Sequence, residues 1–264
     1  MIPLSPMGFE CQHLNKVYQT RNAVVPALED MSFSVGEREF VCIVGPSGCG
    51  KTTLLKLIAG LMEPTSGRII FNAEPLDGRI RSALVFQEHG LFPWMTVLDN
   101  VAFGLEMRGV GREERHHRAR AFIEKVGLAH FADSYPHELS VGMRQRVGIA
   151  RAFVADAPIL LMDEPFGSLD AQTRLVLQEE LLRLWKDHQK LVVYVTHDIE
   201  EAVLLGDRVL VMTGRPGRIR EEIPIPLPRP RDLSARERPE VTEIKWHIWK
   251  MLEEEVRKSL WIPG

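Results

Sequence analysis

Three cysteines in 264 residues, Cys11, Cys42 and Cys49, are too few and wrongly spaced for a disulfide framework or a zinc site. Odd in number and lacking a C-x-x-C pair, they fit a reducing compartment. No apolar run approaches the roughly 18 residues needed to cross a bilayer, and the opening MIPLSPMGFE lacks the basic segment and apolar core of a secretory leader. A membrane role is therefore expected to come through a partner. Charge of one sign is scarce as well: 33 Lys and Arg against 36 Asp and Glu leave a net charge of −3, far from the basic excess of a nucleic-acid-binding surface. No internal repeat marks a solenoid. What remains, 45% hydrophobic and 26% charged residues, is an ordinary globular composition, long enough for one large domain or for a core carrying an inserted subdomain.

Short strand-like patterns fill Phe9 to Val44, ending in FVCIVG, a continuous apolar run of the kind that forms a buried strand before a glycine loop. A helix is expected next. Further buried strands are read at Ile159–Met162, Leu191–Thr196 and Arg208–Met212, with helical stretches between them, which predicts an α/β core of parallel strands. Between about Leu91 and Val154 the texture is helical only (Val97–Met107, Arg112–Val126, Val141–Val154), as for a helical insertion. The basic run Arg108–Arg120 contains Glu113, Glu114 and two histidines and reads as a solvated helix face. Beyond Thr213, TGRPGRIREEIPIPLPRPR excludes a helix and favours extended chain on the surface. A last helix, Val241–Leu260, sets Val241, Ile244, Ile248, Leu252 and Val256 on one face for docking on the core.

Gly45-Pro46-Ser47-Gly48-Cys49-Gly50-Lys51-Thr52, followed by Thr53, matches GxxxxGK[ST] between a predicted buried strand and a predicted helix, the context this phosphate loop requires. Glycines let backbone N–H groups curl round phosphates, and the helix presents its positive N-terminal end. Lys51 reaches the outer phosphates, and the Thr52 hydroxyl suits Mg²⁺. Ile159-Leu-Leu-Met-Asp163-Glu164 delivers two adjacent carboxylates at the end of a strand, so their side chains serve different atoms. Asp163 suits Mg²⁺ and Glu164 suits polarising an attacking water.

These motifs alone define a P-loop NTPase. From Phe9 to about Met212 the ordered set of residues around them resembles the ATP-binding cassette (ABC) family. Leu139-Ser140-Val141-Gly142-Met143-Arg144-Gln145-Arg146 is similar to its signature, most often LSGGQ. The resemblance implies a P-loop NTPase fold of the ABC nucleotide-binding type with an inserted helical subdomain. Residues 1–90 are then the first part of the α/β core with an N-terminal β subdomain, and 91–155 the helical subdomain with the signature. Residues 156–213 complete the core, and 214–264 form the Pro-rich segment and final helix. It further implies that Gln87 contacts Mg²⁺ and water, that Ser168-Leu169-Asp170 crosses between partner subunits, and that His197 touches the terminal phosphate. Tyr18 is similar to the aromatic residue that stacks on adenine, although a tyrosine near the end of a strand usually serves packing.

Met143, LFPWMTVLDNVAFGLE, THDIEEAVLLGDRVLVM and GRPGRI resemble the nitrate, sulfonate and taurine importer branch. Val141 departs from the signature, placing a β-branched side chain where glycine allows close backbone approach to phosphate. The implied function is hydrolysis of ATP with Mg²⁺, each nucleotide lying between the phosphate loop of one subunit and Ser140 and Gly142 of a second, identical or different. The implied partners are a separate membrane permease at the cytoplasmic face and, through it, a solute-binding protein. Leu91, Phe92, Trp94 and Met95 form an apolar cluster that either receives the permease or belongs to the helical subdomain core. A soluble cassette ATPase of DNA repair or translation is the alternative, disfavoured by the near-neutral charge and the absence of long coiled coils or a second cassette. A weakly catalytic nucleotide-binding regulatory subunit is a third reading, to which Val141 lends support.

Overall fold

The computed structural model describes residues 7–19, 23–72, 80–86 and 90–260. The chain divides into two units, Met1–Ala73 with Gln189–Gly264, and Glu74–His188.

In the first unit, β1 (Met7–Gln19) lies between β2 (Val24–Gly36) and β4 (Ser66–Phe71) in an antiparallel sheet. Its alternation buries Phe9, Cys11, Met31, Phe33 and Val35, with the Phe9 ring edge-on to Phe33 at 6.2 Å. The strand β3 (Phe40–Val44) is buried along its whole length, in parallel pairing with β7 (Leu191–Thr196) and β8 (Arg208–Met212). All three are rich in Val, Ile and Leu, which suits strands covered on both faces. Their carboxyl ends are level, because Val44 is the register partner of both Thr196 and Val211. Outside such carboxyl ends an α/β sheet leaves its ligand crevice. The helices α1 (Lys51–Ile58), α6 (Ile199–Leu205) and α7 (Pro239–Leu260) complete this unit.

The Pro-rich stretch is extended as expected, but it does not lie wholly on the surface. Its first part pairs with β8 as an antiparallel strand β9 (Ile219–Pro224), and Ile223, Ile225 and Leu227 are buried. Arg231 goes in with them. Its guanidinium donates to the carbonyls of Gly206 at 2.5 Å and Leu227 at 2.9 Å, closing the C-terminal end of α6, and burial lowers its pKa to about 10. On α7, Val241 and Ile248 are buried as expected and Ile244 and Leu252 are half-buried, while Met251 and Glu255 share the buried face. The side chain of Val256 lies outside the described residues.

Among its described residues the second unit holds a parallel pair, β5 (Ser82–Val85) and β6 (Ile159–Asp163), and the α-helices α2 (Val97–Glu106), α3 (Arg112–Lys125), α4 (Val141–Val154) and α5 (Ala171–His188). Thr96 caps α2, its hydroxyl accepting from the Asp99 amide. Buried Asn100 donates to the carbonyls of Phe92, Met95 and Thr96, which ties the LFPWM segment to the helix start. The helix α3 buries only Ala119 and Ile123, so its basic run is a solvated face. Among the described residues no helix is long and apolar enough to cross a membrane.

Candidate functional site

In the first unit the chain leaves β3 at Gly45 and turns through Gly50 into α1. Gly50 holds φ 105°, and a Cβ there would stand 2.7 Å from Leu28 Cδ2 and 2.9 Å from the Ala27 carbonyl oxygen, so only glycine fits. No side chain caps α1 and no acidic residue lies in its first turn, so its amide groups remain available to an anion. Lys51 is 6% exposed. Its ammonium donates to the carbonyls of Gly45 at 2.8 Å and Pro46 at 3.1 Å, and lies 3.9 Å from the Cys49 sulfur. None of these partners is charged. A buried cation held only by neutral acceptors is costly by itself and is stabilised by an incoming anion.

The Thr52 side chain is exposed, and Thr53 Oγ1 is 3.2 Å from the Tyr18 hydroxyl, which also reaches the Met62 sulfur at 3.4 Å. The fold thus brings Tyr18 to the helix of the phosphate loop, with Lys16 Nζ 5.6 Å from its ring centroid. His197 follows β7 directly and is exposed. Since Thr196 pairs in register with Val44, His197 and Gly45 leave adjacent strands at the same level. A buried network fixes this exit. The Thr196 hydroxyl donates to the Glu201 carboxylate and accepts from the Asp198 amide at 3.0 Å, and Asp198 Oδ1 caps α6 through the amides of Glu200 and Glu201. Burial first, and then the Glu201 charge, hold the Tyr194 phenol far above its usual range.

In the second unit, β6 carries Asp163, 7% exposed, and hands the chain to Glu164. Glu164 adopts φ 45°, a left-handed conformation that costs a non-glycine residue about 1–2 kcal/mol, and its carbonyl accepts from the Gly167 amide at 3.0 Å. Such strain concentrates where a side chain must be aimed. Ser140 caps α4, its hydroxyl accepting from the Met143 amide at 3.3 Å, and both Ser140 and Val141 are exposed. The first turn of α4 contains no acidic residue, so beyond the Ser140 cap its positive end carries no opposing charge. Gly142 packs on α5, a Cβ there standing 3.1 Å from the Thr173 methyl. The Asp170 carboxylate accepts from the Thr173 amide at 3.0 Å, and that hydrogen bond is the main reason its pKa falls below the usual carboxylate value. Gln87 lies outside the described residues.

Among the described residues no cluster of three or more His, Cys, Asp or Glu side chains forms a self-sufficient metal cage. Thr52 in the first unit and Asp163 in the second are each oxygen donors of the kind a hard cation takes. Nothing in the chain spacing marked Glu201, a buried carboxylate that accepts from the Thr196 hydroxyl, or Arg231, buried against the backbone of the α6 end.

The ABC transporter family model matches residues 28–167. An uncharacterised ABC transporter ATP-binding protein of Methanocaldococcus jannaschii is 49% identical over 250 residues, 94% of this chain and 92% of the relative. The nitrate import ATP-binding protein of Synechocystis is 46% identical, covering 84% of each chain, and the taurine import ATP-binding protein of Burkholderia thailandensis is 50% identical, covering 79% of this chain and 81% of its own. Among solved structures, a dimeric ATP-binding cassette in a post-hydrolysis state with ADP and Pi superposes with a TM-score of 0.72 at 34% identity, over 82% of this chain and 98% of the other.

Proposed function

Because the chain belongs to the ABC transporter family and is an ATP-binding, ATP-hydrolysing subunit of its importer-type branch, we propose that it drives a separate membrane permease by closing on ATP against a second ATP-binding subunit. The observation that carries this reading is the phosphate loop: a buried Lys51 held by neutral carbonyls at the foot of an uncapped helix. Thr52, Asp163 and Gln87 would hold Mg²⁺, which would supply neutralisation of phosphate charge. Glu164 accepts hydrogen bonding from the attacking water, and His197 donates to the terminal phosphate. Ser140, Gly142 and Asp170 serve the nucleotide of the opposing subunit. Tyr18 stacks on the adenine. Chemistry of this kind asks for positioning and charge neutralisation more than for covalent participation.

Nitrate, taurine or a sulfonate is the transported class, in keeping with the relatives named for nitrate and taurine import. The dock for the permease is the LFPWM segment. Trp94 is 69% exposed, with its ring 5.5 Å from Phe92, which in turn packs on Phe103 at 4.6 Å. Phe92 therefore anchors the segment, and Trp94 is left to meet a partner. Substituting Trp94→Glu together with Met95→Glu is expected to abolish co-purification with the permease while ATP binding by the chain persists. Retained co-purification would place the dock elsewhere.

Val141 stands at the first turn of α4, 39% exposed, directly after the capping serine. Its branched side chain keeps a phosphate farther from the helix amides than glycine does. Val141→Gly in the assembled transporter is expected to raise ATP turnover several-fold. Equal turnover and equal nucleotide affinity would mean that Val141 does not limit the reaction.

A further inference from the structure

The turn between β8 and β9, residues 213–218, lies against the rear of the phosphate loop. Arg215 donates to the Gly48 carbonyl from both Nε and Nη2 at 3.4 Å. Gly217 approaches so closely that a Cβ there would stand 2.1 Å from the Cys49 carbonyl oxygen. The same glycine is fixed from its other side, its amide donating to the Ala27 carbonyl at 2.9 Å and its carbonyl accepting from the Glu29 amide at 3.0 Å. Leu28, between those two partners, is the residue that a Cβ on Gly50 would strike. Peptide units are planar and trans, so a carbonyl confined on one side aims the N–H of its own unit to the other. Confining the Cys49 carbonyl thus aims the Gly50 amide.

The turn is in turn held by the C-terminal helix. Glu255, 7% exposed, accepts from the Gly214 amide at 3.0 Å and from Arg220 Nη1 at 3.1 Å, and Arg220 also donates to the Met251 carbonyl at 3.0 Å. A carboxylate this deeply buried is retained only with such partners. One continuous path therefore runs within the first unit from α7 through Glu255 and Gly214 to Arg215, Gly217 and the peptide units of Gly48 and Cys49.

We propose that Arg215, Gly217 and Glu255 are positioning residues of the nucleotide site, through which the C-terminal helix sets the affinity of the phosphate loop for ATP. This rests on the phosphate loop binding ATP, as argued above. It extends the site to residues that touch no nucleotide, and gives the GRPGRI stretch and the C-terminal helix a shared task.

The test is equilibrium binding of MgATP to the full chain and its variants, with the thermal midpoint of each nucleotide-free protein measured in parallel. Loss of one hydrogen bond of this type corresponds to an about three- to tenfold weaker Kd for Arg215→Ala and for Glu255→Ala. Because both act along one path, the double variant should bind about as weakly as the weaker single, not as the product of the two losses. Glu255→Gln, which keeps an acceptor for Gly214, should lose less than Glu255→Ala. Gly217→Ala should lose the most, and Arg215→Ala, a change in an exposed side chain, keeps the test valid should Gly217→Ala fail to fold. Lowered thermal midpoints with Kd values within about twofold of the parent would overturn the proposal, as would multiplicative losses in the double variant. A parent chain that binds no ATP would overturn the functional reading, and this inference with it.

Discussion

Glu164→Gln is expected to bind MgATP with close to parental affinity and to lose turnover by roughly 10² or more, the range for a removed base or water-positioning group. The substitution keeps the side-chain volume and the hydrogen bond from the Gly167 amide to the residue 164 carbonyl, so the left-handed backbone at this position survives. What disappears is the negative charge proposed to polarise the attacking water. Single-turnover hydrolysis and equilibrium nucleotide binding, measured on one preparation, separate the two effects. Parallel losses in both would mean that Glu164 shapes the site instead of acting on water, and unchanged hydrolysis would move the role to another residue.

Lys51→Met produces the complementary pattern, a loss of binding. Methionine retains much of the aliphatic stem and removes the ammonium, so packing beneath the loop changes little. A charge-assisted hydrogen bond to phosphate contributes about 1.5–3 kcal/mol, which corresponds to an about 10- to 100-fold rise in the Kd for ATP. The bonds to the carbonyls of buried Gly45 and half-buried Pro46 vanish as well. Calorimetric titration with ATP in the presence and absence of magnesium checks the figure. An unchanged Kd would show that Lys51 serves only to hold the loop.

Much of the framework around the site is legible in the sequence. The runs FVCIV, ILLMD and LVVYVT are the buried strands β3, β6 and β7, because a strand covered on both faces leaves an unbroken apolar signal. The helices α2, α3 and α4 begin at the expected residues, each after a residue suited to a helix start: Thr96, Gly111 and Ser140. The strands β4 and β9 escaped, since SGRIIF is mostly exposed and IREEIP carries three charges with no alternation. They are strands because β1 and β8 offer them backbone partners. Glu201, Arg231 and Glu255 were illegible for a related reason. Each is a charged residue whose burial depends on backbone or hydroxyl groups supplied by other segments, up to 41 residues away for the bond between Glu255 and Gly214. The contact of Arg215 with Gly48 spans 167 residues and leaves no periodicity to detect. Signature and phosphate-loop residues are different, because their chemistry dictates residue types at fixed spacing.

Closure of two ATP-binding subunits around a shared nucleotide is the claim on which the mechanism depends. It is tested most directly by solving the structure of the transporter carrying Glu164→Gln with MgATP. Triphosphate density wrapped by residues 45–52, with the Ser140–Gly142 segment of the opposing ATP-binding subunit on its far side, is the expected result. An empty glycine loop at saturating MgATP, or a bound triphosphate with no second subunit against it, would contradict the account.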